Sequence, residues 1–238
     1  MGKNYVYKDR SIPKLDNLQI KIREDFPWTE RQMEFNSIAQ AKGTKLMFVN
    51  GPCGTTKTFL AVYNCVKLLI EGKIDQILYV RSLVESSDNS MGYLKGGMDE
   101  KFCPYMAPLE DKLSEILTKT SVINIKKKEL VKAMPFNFLR GSHFTNKGVI
   151  VDESQNATTS ELTTLITRLG DYNKVFICGD EMQTDISQHK TGFTPMLDLF
   201  DENEAERHGI KVFEFDQESD ILRSELVKFI VKKLRDIA

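Results

Sequence analysis

Short runs of consecutive apolar residues alternate along the chain with longer segments in which apolar residues recur every three or four positions. A short, continuous apolar run is typical of a strand that is buried on both faces of a sheet. We therefore predict strands at KLMFVNG (45–51), QILYVRS (76–82), GVIVDE (148–153), KVFICGD (174–180) and IKVFEF (210–215), and a further short strand at NFLRG (137–141).

The segments between these runs have the periodicity of amphipathic helices. Thr29 is placed to cap the first helix, which ends at Gly43, because threonine favours the N-cap and glycine favours the C-terminal boundary. Further helices are predicted in 58–72, over most of 105–133, in 160–170 and in 221–237.

Buried strands that alternate with helices predict a parallel sheet with helices on both of its faces. The expected fold class is therefore α/β, a three-layer domain with a mainly parallel central sheet. We assign this domain to residues 28–238, after a polar N-terminal arm at 1–27. An excursion from the core at about 83–135 begins with a glycine-containing stretch that has few apolar repeats.

Composition narrows the class of protein. Hydrophobic residues make up 41% and charged residues 28% of the chain, as in an ordinary soluble domain. No apolar run approaches the roughly 18 residues of a membrane helix, and the polar N-terminus lacks the apolar core of a secretory signal. We therefore expect a cytoplasmic location and no membrane partner. A net charge of −1 provides no bulk electrostatic argument for binding nucleic acid.

The most specific local pattern is Gly51-Pro52-Cys53-Gly54-Thr55-Thr56-Lys57-Thr58, which follows a predicted strand and opens a predicted helix. In this setting a glycine-containing loop binds phosphate groups through its backbone N–H groups and the helix N-terminus. All eight residues are therefore candidates for nucleotide binding. Lys57 would contact the β- and γ-phosphates, and the Thr58 hydroxyl would ligate Mg²⁺. Thr56 stands where the GxxxxGK[ST] pattern has glycine, and its Cβ is expected to crowd the loop.

Two further predicted strands end in polar residues. Asp152 and Glu153 directly follow the apolar run at 149–151, so both carboxylates should emerge at the sheet edge where ligands bind. Asp152 is the candidate Mg²⁺ ligand, through water, and Glu153 is the candidate residue that orients the attacking water. Gln183, just after the strand at 174–180, is placed to sense a γ-phosphate. Its GDxxQ pattern alone is weak, because Gly-Asp after a strand is usually a turn.

Taken in order, these motifs resemble the PhoH-like family of ATPases, which is similar to the first RecA domain of superfamily 1 helicases. The matching segments are GPCGTTKTFLAV (51–62), YVRSLVES (79–86), MGYLKG (91–96), PYMAPL (104–109), FLRG (138–141), VIVDESQN (149–156), TRLG (167–170), GDEMQTD (179–185) and SDILRSELV (219–227). Two positions depart from the family pattern: Thr56, and Ser154 where the family usually has alanine.

The resemblance implies a RecA-like P-loop fold and ATP hydrolysis, coupled to RNA or single-stranded DNA. It implies that Gln32 recognises adenine, that Asp152 and Glu153 are the acidic pair, and that Gln183 senses the γ-phosphate. It also makes Arg223 a candidate arginine finger or sensor that reaches a neighbouring subunit's nucleotide.

The working hypothesis from the sequence is Mg²⁺-dependent ATP hydrolysis by a homo-oligomer, for which a hexameric ring is one arrangement. A single RecA-type core covers only one side of its nucleotide, so a neighbouring copy is the simplest way to complete the site. Two alternatives stay open. One is a non-enzymatic nucleotide-binding switch or scaffold in which Thr56 has abolished turnover, and the other is a small-molecule kinase with the same loop.

Overall fold

The computed structural model describes residues 20–23, 26–82, 98–139, 141–187 and 189–235, with only the backbone for 98–105, 218, 231, 234 and 235. Most of the predicted N-terminal arm and residues 83–97 of the predicted excursion lie outside the described residues. The same holds for the segment MGYLKG, for the end of YVRSLVES and for Arg140 within FLRG.

A parallel sheet of six strands forms the centre of the described structure. The strands are β1 (Leu46–Asn50), β2 (Gln76–Arg81), β3 (Val131–Pro135), β4 (Lys147–Asp152), β5 (Lys174–Gly179) and β6 (Ile210–Glu214). Their spatial order is β3-β2-β4-β5-β1-β6, and every pairing is parallel. β5 therefore lies between β1, which leads into the phosphate loop, and β4, which ends in the acidic pair.

Eight helices precede, connect or follow these strands within the described part of the chain. They are α1 (Glu30–Gln40), α2 (Lys57–Ile70), α3 (Met98–Ile116), α4 (Lys119–Lys127), α5 (Thr159–Ile166), α6 (Phe193–Phe200), α7 (Asn203–Arg207) and α8 (Glu225–Arg235). Thr29 caps α1 as predicted, in a capping box in which the Gln32 side chain bonds back to the backbone of Thr29. None of these helices is both long and apolar enough to cross a membrane.

Two hydrophobic clusters cover the two faces of the sheet. Because successive strand residues point to opposite faces, Ile150 joins one cluster while its neighbours Val149 and Val151 join the other. The first cluster also contains Phe35 of α1 and Leu60 of α2. The second also takes in buried residues of α5 and α6, namely Leu162, Leu165, Phe193, Met196 and Leu197. The predicted three-layer α/β class with a parallel sheet is therefore confirmed.

Two local predictions were wrong. Residues 131–133 form the start of β3 rather than the end of a helix, because α4 ends at Lys127 and Glu129 adopts a left-handed conformation with φ 53°. Beyond this turn, buried Val131 and Ala133 alternate with exposed Lys132 in the manner of a strand. The described part of NFLRG is not a strand, since Phe136–Phe138 is a 3₁₀ turn capped by Leu139, and buried Phe136 and Leu139 lie one turn apart.

Candidate functional site

A cleft of about 530 Å³ lies where the loops after β1, β4 and β5 meet. This is the carboxyl edge of the parallel strands, where open α/β sheets bind ligands. Of the residues that the sequence singled out, ten line the cleft: Gln32, Cys53, Gly54, Thr56, Lys57, Thr58, Asp152, Glu153, Gln183 and Arg223. The other three, Gly51, Pro52 and Thr55, are buried beneath its surface.

The loop from Gly51 to Thr56 is closed by its own hydrogen bonds. The Thr55 hydroxyl donates to the Pro52 carbonyl at 2.9 Å. The Lys57 ammonium extends back across the loop and donates to the carbonyls of Gly51 at 2.6 Å and Pro52 at 3.0 Å. The loop therefore places a half-buried positive charge at the start of α2, where backbone N–H groups also converge.

Gly54 has a physical reason to be glycine. Its φ is +93°, a region that L side chains rarely adopt, and an added Cβ would lie 2.8 Å from Cγ of Arg223. The backbone N–H of Leu222 also donates to the Gly54 carbonyl at 3.0 Å. The segment before α8 therefore packs directly on the phosphate loop, and Arg223 reaches the cleft of its own chain.

Thr56 occupies a position with left-handed geometry, with φ 62° and ψ 18°. Glycine adopts this conformation at little cost, whereas a residue with a Cβ loses roughly 1 kcal/mol. Having threonine at position 56, where the GxxxxGK[ST] pattern has glycine, therefore introduces strain into the backbone of the loop. The Thr56 hydroxyl offsets part of it, because it accepts a hydrogen bond of 2.8 Å from Nε2 of Gln32. α1 is thereby joined to the phosphate loop.

Substitutions at Thr56 should separate these two contributions. Thr56→Ala keeps the left-handed strain and loses the bond to Gln32, whereas Thr56→Gly loses the bond but relieves the strain. We expect the alanine variant to be less stable than the glycine variant by about 1 kcal/mol in urea unfolding. An alanine variant as stable as the glycine variant would show that Thr56 carries no strain.

Asp152, at the end of β4, lies close to the first turn of α2, although β5 separates β4 from β1 in the sheet. The Thr58 hydroxyl donates to Oδ1 of Asp152 at 2.6 Å, and the buried Tyr79 hydroxyl donates to Oδ2 of the same carboxylate. Burial, and then the adjacent Asp152 charge, raise the pKa of Tyr79, so that its phenol stays protonated as a donor. Asp152 is therefore held in a fixed orientation beside Thr58.

The residues around Asp152 fit a hydrated Mg²⁺. Thr58 and Asp152 present a hydroxyl and a carboxylate side by side, and oxygen ligands of this kind suit Mg²⁺. Among the described residues, no group of three or more His, Cys, Asp and Glu side chains could hold a metal by itself.

Glu153 lies just outside the sheet in a left-handed conformation with φ 51° and ψ 42°. Non-glycine residues in this region are uncommon and cluster at functional sites. Nε2 of Gln155 donates to Oε2 of Glu153 at 2.8 Å, and a guanidinium nitrogen of Arg81 lies 3.8 Å from Oε1. One carboxylate oxygen is thus held by a hydrogen bond from Gln155, and the other faces the Arg81 charge at the cleft wall.

Gln155 is a central site residue to which the sequence interpretation gave no role. It is buried, with 2% of its surface exposed, and its Nε2 also donates to the Gln183 carbonyl at 3.3 Å. Its Oε1 accepts from the backbone N–H of Asp180 at 3.2 Å, and Asp180 in turn accepts from the backbone N–H of Cys53 at 3.1 Å. Gln155 therefore links the acidic pair, the loop after β5 and the phosphate loop. The signal in the sequence that could have identified Gln155 was a glutamine two residues after the acidic pair.

The remaining predicted residues lie on the cleft wall. Gln183 is exposed and lines the cleft, while its backbone is fixed by Gln155 and Asp180. Gln32 is only 5% exposed. Its Oε1 accepts from the Thr29 backbone at 3.1 Å, and its Nε2 donates to Thr56. Both ends of the Gln32 amide are thus bonded to residues of the protein itself, Thr29 and Thr56.

Comparison with known proteins identifies the family of this chain. Residues 26–235 match the family model described as PhoH-like protein. The chain is 34% identical over 195 residues to a PhoH-like protein of Bacillus subtilis, covering 82% of this chain and 60% of that protein. It is 31% identical over 200 residues to the protein PhoH of Escherichia coli K12, covering 83% and 54% respectively. The chain thus spans between half and two thirds of the length of these relatives.

Among solved structures, the chain is similar to the crystal structure of Pif1 helicase from Candida albicans. The TM-score is 0.39 with 14% sequence identity, over 82% of this chain and 42% of that one. The family model, by contrast, matches nearly the whole described chain, and its range includes the phosphate loop, the acidic pair and the segment that carries Arg223. The chain therefore belongs to the PhoH-like protein family.

Proposed function

We propose that this protein hydrolyses ATP with Mg²⁺ in the cleft above β1, β4 and β5. The observation that carries the proposal is the 2.6 Å hydrogen bond between Thr58 and Asp152. It joins the helix that begins at the phosphate loop to the strand that ends in the acidic pair, although the two lie 94 residues apart in sequence. A P-loop nucleotide site needs this proximity, because its loop hydroxyl and its acidic strand share one metal ion.

Each side chain then has a role that suits its position. The loop amides and Lys57 bind the β- and γ-phosphates and neutralise the charge that develops during transfer. Thr58 directly, and Asp152 through water, would hold Mg²⁺, which supplies further charge neutralisation on the phosphates. Glu153 orients a water molecule whose oxygen attacks the γ-phosphorus. The bond to the bridging oxygen breaks, ADP leaves, and the proton of the water passes to Glu153 and then to solvent.

Two residues complete the proposed site. Gln183 faces the cleft on a backbone fixed by Gln155, so a change at the γ-phosphate is transmitted to the loop after β5. Arg223 lies against Gly54 of its own chain, and we propose that it acts there in cis on the phosphates. An arginine from a neighbouring copy would then act on the phosphates in addition to Arg223.

We further propose that ATP hydrolysis is coupled to the binding of RNA or single-stranded DNA. Lysines 126–128 are exposed, and we propose that Lys127 and Lys128 contact a nucleic-acid backbone while Lys126 pairs with Glu110. We also propose a homo-oligomer, with a hexameric ring as one arrangement, because α8 exposes Leu226, Phe229 and Ile230. Large exposed apolar side chains of this kind favour a protein contact. The cytoplasmic location stays a prediction.

The switch or scaffold is a second candidate, and the left-handed Thr56 favours it because strain in the loop would slow turnover. Product analysis separates the candidates. We expect wild-type protein with Mg²⁺ and ATP to release free phosphate, at a rate that added single-stranded RNA or DNA increases. Binding of ATP without release of phosphate would support the switch, and a phosphorylated small-molecule acceptor would support a kinase.

A further inference from the structure

Four aromatic rings pack together beside the phosphate loop. Trp28 lies 5.1 Å from Phe26, 6.1 Å from Phe59 and 4.8 Å from Tyr63, measured between ring centroids. Phe26 in turn lies 5.5 Å from Phe59. All four rings are half-buried, so part of each remains accessible at the surface. We call Phe26, Trp28 and Phe59 the aromatic wall, because these three line the same cleft as Lys57.

The position of the aromatic wall suits the base of a nucleotide. Phe59 directly follows Thr58 on the first turn of α2, one turn beyond Thr56, and therefore lies next to the residues proposed to bind phosphate. The acidic pair, by contrast, is tied to Tyr79, Arg81 and Gln155. A nucleotide with its phosphates in the loop thus has aromatic rings, tilted relative to one another, available on the Thr56 side of the cleft.

The polar groups on this side of the cleft have partners within the protein. Both ends of the Gln32 amide are used, by Thr29 and by Thr56. Lys112 and Glu115, also at the cleft, form an ion pair of 2.7 Å with each other. Gln32, Lys112 and Glu115 are thus each already bonded within the protein, and the rings offer a nucleobase a surface for stacking, which does not depend on the identity of the base.

We propose that the aromatic wall is the nucleobase subsite, that it holds the base by stacking, and that it discriminates weakly between adenine and guanine. This inference rests on the proposed nucleotide site and names its base-binding part. Stacking on aromatic side chains accepts any base, because every base has a π face. Gln32 then acts on the phosphate loop through Thr56 rather than by reading adenine.

Trp28 reports on the proposal directly, since it is the sole tryptophan of the chain. We expect ATP and GTP to change its fluorescence, with dissociation constants that differ by less than about tenfold. Inorganic tripolyphosphate, measured by calorimetry, should bind without that change. A preference for ATP of about tenfold or more, or ATP binding without a change in Trp28 fluorescence, would overturn the nucleobase subsite. Failure of ATP, GTP and tripolyphosphate all to bind would instead contradict the proposed function itself.

Variants of the wall provide a second measurement, made by calorimetry. Trp28→Leu and Phe26→Leu should each weaken ATP binding about tenfold, while the affinity for tripolyphosphate changes less than about twofold. Retained tripolyphosphate binding shows that a variant is folded. The matched control is Phe138→Leu, an exposed phenyl group in the turn after β3 and outside the cleft, which should leave both affinities unchanged. Equal losses for ATP and tripolyphosphate would assign the wall a structural role only.

Discussion

Lys57→Ala should lower the rate of phosphate release from ATP at least about a hundredfold, the usual effect of removing one donor to a charge that develops in the transition state. Nucleotide binding should weaken as well, because a charge-assisted hydrogen bond to a phosphate is worth about 1.5–3 kcal/mol. The Lys57 ammonium already lies within the loop, 2.6 Å from the Gly51 carbonyl. It therefore needs only a local change of rotamer to contact a phosphate.

The matched control for this variant is Lys67→Ala on the last turn of the same helix, outside the cleft. It removes an equal charge from α2 without touching the loop, so its rate should stay within about twofold of wild type. Steady-state phosphate release and calorimetric ATP binding measure both effects. Comparable rates for Lys57→Ala and Lys67→Ala would remove Lys57 from the proposed mechanism.

Glu153→Gln should lower the rate of turnover strongly while ATP still binds. The amide keeps the size of the side chain and can keep its contact with Gln155, but it cannot accept the proton of the attacking water. General-base catalysis contributes about 10²–10⁴ in rate, and we expect a loss of that size. Removing one negative charge from the cleft should leave ATP binding equal to wild type or tighter, since the phosphates are themselves anionic.

Glu181→Gln is the control at the same sheet edge. The Glu181 carboxylate accepts a 3.0 Å hydrogen bond from Asn50, which a glutamine oxygen can also accept, and it does not line the cleft. Single-turnover kinetics with Mg²⁺ separate loss of chemistry from loss of binding. If Glu153→Gln hydrolysed ATP at the wild-type rate, the water would have to be oriented by another residue.

The fold and much of the candidate site could be predicted because their signals are local. An apolar run followed by GPCGTTKT and an amphipathic helix specifies strand, loop and helix within one short segment. The position of the acids follows from the rule that parallel strands bind ligands at their carboxyl edge. Family resemblance added Gln32 and Arg223 and supported Gln183, whose local pattern is weak, and all three line the cleft.

The parts that sequence reasoning missed depend on contacts between distant residues. Gln32 and Thr56 are 24 residues apart, and their hydrogen bond follows from how α1 packs against the loop. Gln155 reaches Asp180 across 25 residues, so its role becomes visible only when β4 and β5 lie side by side. In the same way, β3 is a strand because it pairs with β2, a stabilising contact that helical periodicity cannot reveal.

The central claim is that residues 51–58 enclose a triphosphate with Asp152 across a magnesium ion. A crystal structure with Mg²⁺ and a non-hydrolysable ATP analogue tests it most directly. We predict the β- and γ-phosphates within hydrogen-bond distance of the loop amides and of Lys57, with the ion bound by Thr58 and linked to Asp152 through water. Phosphates bound elsewhere, or a loop closed to them by the Thr56 side chain, would contradict the account.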